Sequence, residues 1–214
     1  METAHPEILA FFNQCKLRTY PKRDSILHED DVPNGVYLIK SGYVRLYSIS
    51  ADGEELTRLV LGPNDVFPIR WTFTQEPIDY FVEPMTDVSA WYCRRDDFLA
   101  FLNENPAIFS AVVQMMAHRM GTLYKRMEYL SFGDAYQKVT AILIDLAAHF
   151  GSENDKGIMI LLPLTQKDLG TFIGLVRETV GMEMERLKEK GIVDFQDHHI
   201  IIKDLKKLTA EAQR

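Results

Sequence analysis

The sequence is short of the residues that most often carry chemistry. Its 214 residues include only two cysteines. Cys15 and Cys93 lie far apart and in no metal-ligand spacing, which excludes a thiolate zinc site or a cluster held by grouped cysteines. Two isolated cysteines are most simply free thiols of an intracellular chain. The six histidines are His5, His28, His118, His149, His198 and His199. They form no set on neighbouring strands with a carboxylate, so the metal-holding barrel of a cupin-type enzyme is not legible. His198 and His199 read as an exposed turn. No nucleophile–base pair stands out either. The expectation is a chain that is not an enzyme and holds no metal and no cofactor. Long apolar runs are also missing; none approaches the roughly 20 residues of a membrane span. The start METAHPEILAFF carries acids and no basic region before an apolar one, so no signal peptide is expected. Together these absences point to the cytoplasm and away from membranes.

What is present is patterning. Residues 1–19 read as a short helical start. Strand-like runs follow: VYLIK and YVRLY around Gly42, then a DG turn at 52–53, then LTRLVL and a GPND turn. Phe81 and Val82 and the run 87–93 continue the pattern. Short strands at regular intervals suggest a small barrel or jelly roll. A short helix over 96–103 comes next, and Pro106 suits the first turn of a longer one. Phe109, Val112, Met116, Met120, Leu123, Met127 and Leu130 then fall three or four apart, a coiled-coil-like seam for a second copy of the chain. His118, Arg119, Lys125 and Arg126 lie mostly off that seam and read as solvated. SFGD at 131–134 breaks the pattern and reads as a hinge.

The last third reads as a helix over 135–150, a polar loop over 151–157, an apolar strand over 158–162, and then residues 164–193. In that final stretch Thr165 can cap a helix, with Asp168 three residues on in a variant capping box. Leu169, Phe172 and Ile173 give the helix an apolar face. Gly174 supplies a turn where positive φ costs little. A second helix opens near Val176 and carries Val180, Met184 and Leu187 at helical spacing, with Gly191 as its stop. Gly170 falls where the two helices touch. A hairpin around 193–202 and a short helix over 203–209 close the chain. The pattern is that of a winged helix-turn-helix, which lays its second helix in the major groove of DNA.

RETVG, the apolar ladder and KEKGIV resemble the DNA-binding domain of the catabolite activator and FNR (CRP/FNR) family of bacterial transcription regulators. VYLIKSGYVRLY, the DG turn and LGPNDVF independently resemble the opening of that family's cyclic-nucleotide-binding-like β-roll. The fold class expected is therefore α+β: a β-roll (jelly roll) effector-type domain over 1–104, a dimerisation helix over 105–131 and a winged helix-turn-helix domain over 132–214. The resemblance implies a homodimer that binds double-stranded DNA. RNA polymerase and a small-molecule effector of unknown identity are further partners it allows.

Arg177 and Glu178, in the first turn of the second helix, can read guanine O6/N7 and cytosine N4 respectively. The resemblance implies the same roles. Met182 is grouped with them as a base contact, at a position where the best-known member of the family has an arginine. Thr165, Gln166 and Thr179 are phosphate-contact candidates. Val176 stands where the family usually has a Ser or Thr cap.

Cyclic-nucleotide binders of this fold carry a Gly-Glu pair, then Arg-Ser or Arg-Thr about ten residues later. Here Pro68 and Ile69 replace the first pair, and Asp79 and Tyr80 stand near the second. An aspartate repels phosphate, so cyclic AMP and cyclic GMP are not expected. Arg70, Trp71, Phe73, Tyr80 and Phe81 either line a site for another effector or fill the pocket themselves.

Net charge is −7. Residues 131–214 hold 11 basic and 13 acidic residues, leaving 13 and 18 for the rest. The end expected to meet DNA is less acidic but not basic, so binding would lean on dimerisation. A second reading stays open, a sensor or protein-interaction module whose helix-turn-helix no longer binds DNA.

Overall fold

The computed structural model describes residues 6–196 and 199–212. His5 and His198 lie outside them. The chain forms two compact units that divide inside the long helix, between His118 and Arg119, rather than at either end of it.

In the N-terminal unit, α1 (Pro6–Phe12) buries Ile8 and Phe12. The strands β1 (Lys16–Tyr20), β2 (Gly35–Ser41), β3 (Val44–Ile49), β4 (Glu55–Leu61) and β5 (Val66–Phe67) follow. After α2 (Ile69–Thr74) come β6 (Phe81–Pro84), β7 (Val88–Arg94) and α3 (Arg95–Glu104). One sheet has the order β1-β7-β2-β5 and the other β4-β3-β6. The DG turn joins β3 to β4 as an antiparallel hairpin, with Gly53 at φ 83°. The glycine turn before it has another job. β2 and β3 do not pair; Gly42, at φ 86°, passes the chain from one sheet to the other. A Cβ there would strike the Asp87 carbonyl, so glycine is required twice over. Val36, Leu38, Leu46, Val82 and Ala90 from both sheets close one core.

The cysteines are not free thiols. Cys15 and Cys93 are joined as a disulfide, with Cα atoms 5.4 Å apart. The reason is register: β1 pairs antiparallel with β7, Lys16 opposite Tyr92, which carries Cys15 on to Cys93. Sequence separation concealed a neighbour relation that strand pairing creates.

The long helix, α4 (Pro106–Phe132), begins as part of this unit. Ile108 and Val112 are buried in its core. Val112 therefore cannot belong to an outward seam. Val113 takes its place: Phe109, Val113, Met120, Leu123 and Met127 are exposed, and Met116 and Leu130 are half-buried. The stripe departs from expectation at that one position because the first turns of the helix pack on their own domain.

In the C-terminal unit, α5 (Ala135–Phe150) starts at an Asp134–Gln137 capping box and packs against all three later helices. The stretch expected as a polar loop is strand β8 (Gly151–Asn154), hairpinned to β9 (Gly157–Ile160). All four β8 residues are exposed, so no apolar alternation marked it. Then come α6 (Gln166–Ile173), α7 (Arg177–Glu189), β10 (Val193–Gln196), β11 (His199–Ile202) and α8 (Leu205–Ala212). The strands of this unit form one sheet in the order β10-β11-β9-β8. Tyr136 on α5, Lys190 after α7 and Glu211 on α8 bond to one another, at 2.7 to 2.9 Å.

Candidate nucleic-acid interface

The turn between α6 and α7 is built from backbone chemistry. Asp168 N–H donates to the Thr165 hydroxyl, and the Asp168 carboxylate accepts from Thr165 N–H at 2.8 Å. The same hydroxyl donates to that carboxylate at 2.7 Å. Thr165 thus employs its side chain in the cap. Gly174 ends α6 in the left-handed region, φ 64° and ψ 38°, and the Leu175 N–H returns to the Gly170 carbonyl. Gly170 lets the turn close: a Cβ there would strike the Leu175 carbonyl and touch Val180.

α7 turns Val180, Met184 and Leu187 inward and buries them. Its outer side bears Arg177, Glu178, Met182, Glu185 and Glu189, all exposed. Met182 is 65% exposed and Val176 63%. Val176 is the N-cap residue and makes no side-chain cap bond. The Val176 side chain therefore gives the first-turn N–H groups of α7 no cap. Gln166 is half-buried and lies across Gly181; a Cβ on that glycine would sit 3.1 Å from its Oε1. Thr179 is half-buried. Arg177, Glu178 and Met182 are thus all exposed on α7, Glu178 and Met182 one helical turn apart, with Gln166 against the neighbouring Gly181. In the wing, Lys203 pairs with Asp194 at 2.6 Å and holds its carboxyl below the usual range.

The effector candidates are engaged with the domain's own residues. Arg70 pairs with Asp79 at 2.5 Å and with Glu76 at 3.1 Å, and donates to the Pro77 carbonyl. Arg58 meets the other Asp79 oxygen at 2.8 Å. Arg58, then Arg70, hold the Asp79 carboxyl below its usual range. Trp71 and Tyr80 are buried in the core. Phe81 stacks on Tyr47 at 5.2 Å, and Phe73 lies 6.1 Å from Phe109. A shallow hollow of about 360 Å³ lies elsewhere, bounded by Tyr20, Ser41, Asp87 and Ser89, and includes none of the five. Sequence reasoning missed Arg58, whose link to Asp79 spans 21 residues and leaves no local pattern.

Comparison with known proteins bears on both halves. The cyclic nucleotide-binding domain family matches residues 17–105, and the Crp-like helix-turn-helix domain family matches residues 137–211. The chain belongs to the CRP/FNR family. Within that family it is similar to the CRP-like cAMP-activated global transcriptional regulator of Mycobacterium tuberculosis, 24% identical over 96% of this chain and 92% of the relative. The cyclic AMP receptor protein of Thermus thermophilus is 26% identical over 86% of this chain and 81% of the relative. Among solved structures, a CooA mutant from Carboxydothermus hydrogenoformans superposes with a TM-score of 0.82 at 24% identity, covering 99% and 97% of the two chains. FixK2 from Bradyrhizobium japonicum does so with a TM-score of 0.79 at 23% identity, covering 92% and 96%. The CRP/FNR fold is thus shared along the whole length.

Proposed function

We propose that this CRP/FNR chain is a sequence-specific transcription regulator that binds double-stranded DNA as a homodimer in the cytoplasm. Its role is regulatory rather than catalytic. The observation that carries the reading is the outer face of α7, where Arg177, Glu178 and Met182 stand exposed on a helix whose opposite side is buried. Arg177 forks onto guanine, Glu178 accepts from cytosine N4, and Met182 packs on the 5-methyl of thymine. Gln166, Thr179 and the uncapped start of α7 face phosphates, where backbone N–H groups and the helix dipole favour an anion. The exposed stripe on α4, Phe109, Val113, Met120, Leu123 and Met127, covers itself against the same stripe of a second copy. The two reading helices must then lie one DNA turn apart, about 34 Å. Selection from random duplexes followed by gel shift tests the reading, with an enriched two-fold site as the expected result. The exposed glutamates Glu178, Glu185 and Glu189 favour the rival reading, a module that binds protein instead; absence of any enriched site at low salt would establish it.

Thymine readout makes a separate prediction. Replacing thymine by uracil in the selected site removes only the methyl group. At the position facing Met182 the affinity is expected to fall by roughly threefold to tenfold, in line with one apolar base contact. The loss should vanish in Met182→Ala; an equal loss in both proteins would remove Met182 from the readers.

The effector is not a cyclic nucleotide on this reading, because both arginines near the nucleotide position are engaged by Asp79. Cyclic AMP or cyclic GMP at millimolar concentration is expected to leave the melting temperature unchanged. A ligand at about 100 times its Kd would add some 2.7 kcal/mol of stability, so a clear upward shift would reverse the assignment.

A further inference from the structure

Arg126 is where the structure departs furthest from expectation. Its place off the apolar stripe suggested a solvated side chain. Instead it is 8% exposed and lies inside the C-terminal unit. From α4 it crosses to α6: Nη2 donates to the main-chain carbonyl of Phe172, and the guanidinium lies over the Phe172 ring, 5.4 Å from the centroid.

That carbonyl has a particular need. It belongs to the last turn of α6, whose C=O groups have no N–H partner further along the helix. Gly174 turns the chain away at this point, and the turn serves the Gly170 carbonyl through the N–H groups of Gly174 and Leu175. Phe172 receives its donor from α4. A cation at the C-terminal end of a helix is also favoured by the helix dipole. The setting is closed: the Tyr129 hydroxyl is buried with no hydrogen-bond partner among the described residues, and burial raises the Asp145 carboxyl above its usual range. Burial pulls the Arg126 guanidinium below its own ordinary value, with Tyr129 and Asp145 opposing that shift.

Arg126 and Met127 are consecutive, so their side chains leave α4 about 100° apart. Met127 belongs to the exposed stripe, while Arg126 holds α6. Since α6 and α7 share the tight turn closed at Gly170, whatever fixes α6 also fixes the reading helix.

We propose that Arg126 is a positioning residue that registers the helix-turn-helix to the dimer stripe and so sets the half-site spacing the protein accepts. The inference rests on the DNA-binding reading above. It separates two properties that a single loss of affinity would confuse. Base preference within a half-site belongs to α7, whereas tolerance of spacing belongs to the Arg126 link.

The test uses the full chain and the operator selected by the wild type, with variants in which the half-sites are moved by one base pair in either direction. Arg126→Met keeps reach but loses donors and charge; Arg126→Lys keeps the charge but loses the fork. Sedimentation and circular dichroism monitor the dimer and the fold. Wild type is expected to reject the shifted operators by about tenfold, within the range of site-to-site coupling. Arg126→Met should compress that discrimination to roughly threefold or less with half-site preference unchanged. Arg126→Lys should fall between. If Arg126→Met does not fold, the lysine variant carries the test alone. A spacing profile equal to wild type in the folded variants overturns the proposal, even if affinity falls uniformly, since a merely structural role would do that. A wild type that selects no two-fold site defeats the DNA-binding reading itself, a different outcome.

Discussion

Arg177→Ala weakens binding to the selected operator by about 1–3 kcal/mol, roughly 5- to 150-fold. That is the expected result, and its pattern matters more than its size. Arg177 sits exposed in the first turn of α7, so truncation removes no core contact. The melting temperature and the dimer should therefore stay as they are. The loss should concentrate at one guanine, because a bidentate fork discriminates the base and not the phosphate. Substituting that guanine in the duplex should weaken the wild type and leave the alanine variant nearly indifferent. A uniform loss at every position, with a shallower salt dependence, would reassign Arg177 to a phosphate.

Gly170→Ala is expected to be the most damaging small substitution in the C-terminal unit. Two effects oppose. Alanine favours a helix interior over glycine by about 1 kcal/mol. The added methyl would meet the Leu175 carbonyl, a backbone atom of the turn, with Val180 close behind. Backbone in a tight turn cannot rotate away as a side chain can, and forced packing costs about 1–3 kcal/mol. The clash wins, and it displaces the residue just before Val176, which moves the start of the reading helix. Loss of specific DNA binding with a fall in melting temperature of roughly 4–8 °C per kcal/mol should follow. Gly121→Ala is the control: nothing lies within 4 Å of its Cβ position, so it should be neutral or slightly stabilising. Equal behaviour of the two variants would show that Gly170 does not hold the helices together.

Much of this was legible because it is local. A capping box occupies four consecutive residues, and Thr165 and Asp168 form it as their spacing requires. Gly174 and Gly53 adopt the positive φ that their neighbours call for. What was illegible depends on partners distant in sequence. Alternation placed β2 and β3 as strands but carries no information on which sheet each joins. The Cys15–Cys93 pair follows from β1–β7 register. The phase of the α4 stripe was one residue out at Val112 because helical periodicity marks apolar positions and not what covers them. Arg126 had no local signal, since its partner is a main-chain carbonyl 46 residues away. On α7, helical spacing was enough to expect Arg177, Glu178 and Met182 away from the buried Val180, Met184 and Leu187, and all three are exposed. The surroundings of the five effector candidates depended on tertiary packing, which buries Trp71 and Tyr80 and pairs Arg70 with Asp79.

The uncapped start of α7 has a thermodynamic meaning for the free protein. A Ser or Thr in place of Val176 would strengthen that helix end by about 1 kcal/mol. The chain forgoes this and leaves a weak point at the tip of the element that must meet another molecule. On the proposed reading, an anion that arrives there would supply what the sequence withholds, so completion of the helix and capture of the partner would be one event. Such a protein would be stabilised more by occupancy than a capped one, the difference between free and bound stabilities being set in part by a single valine.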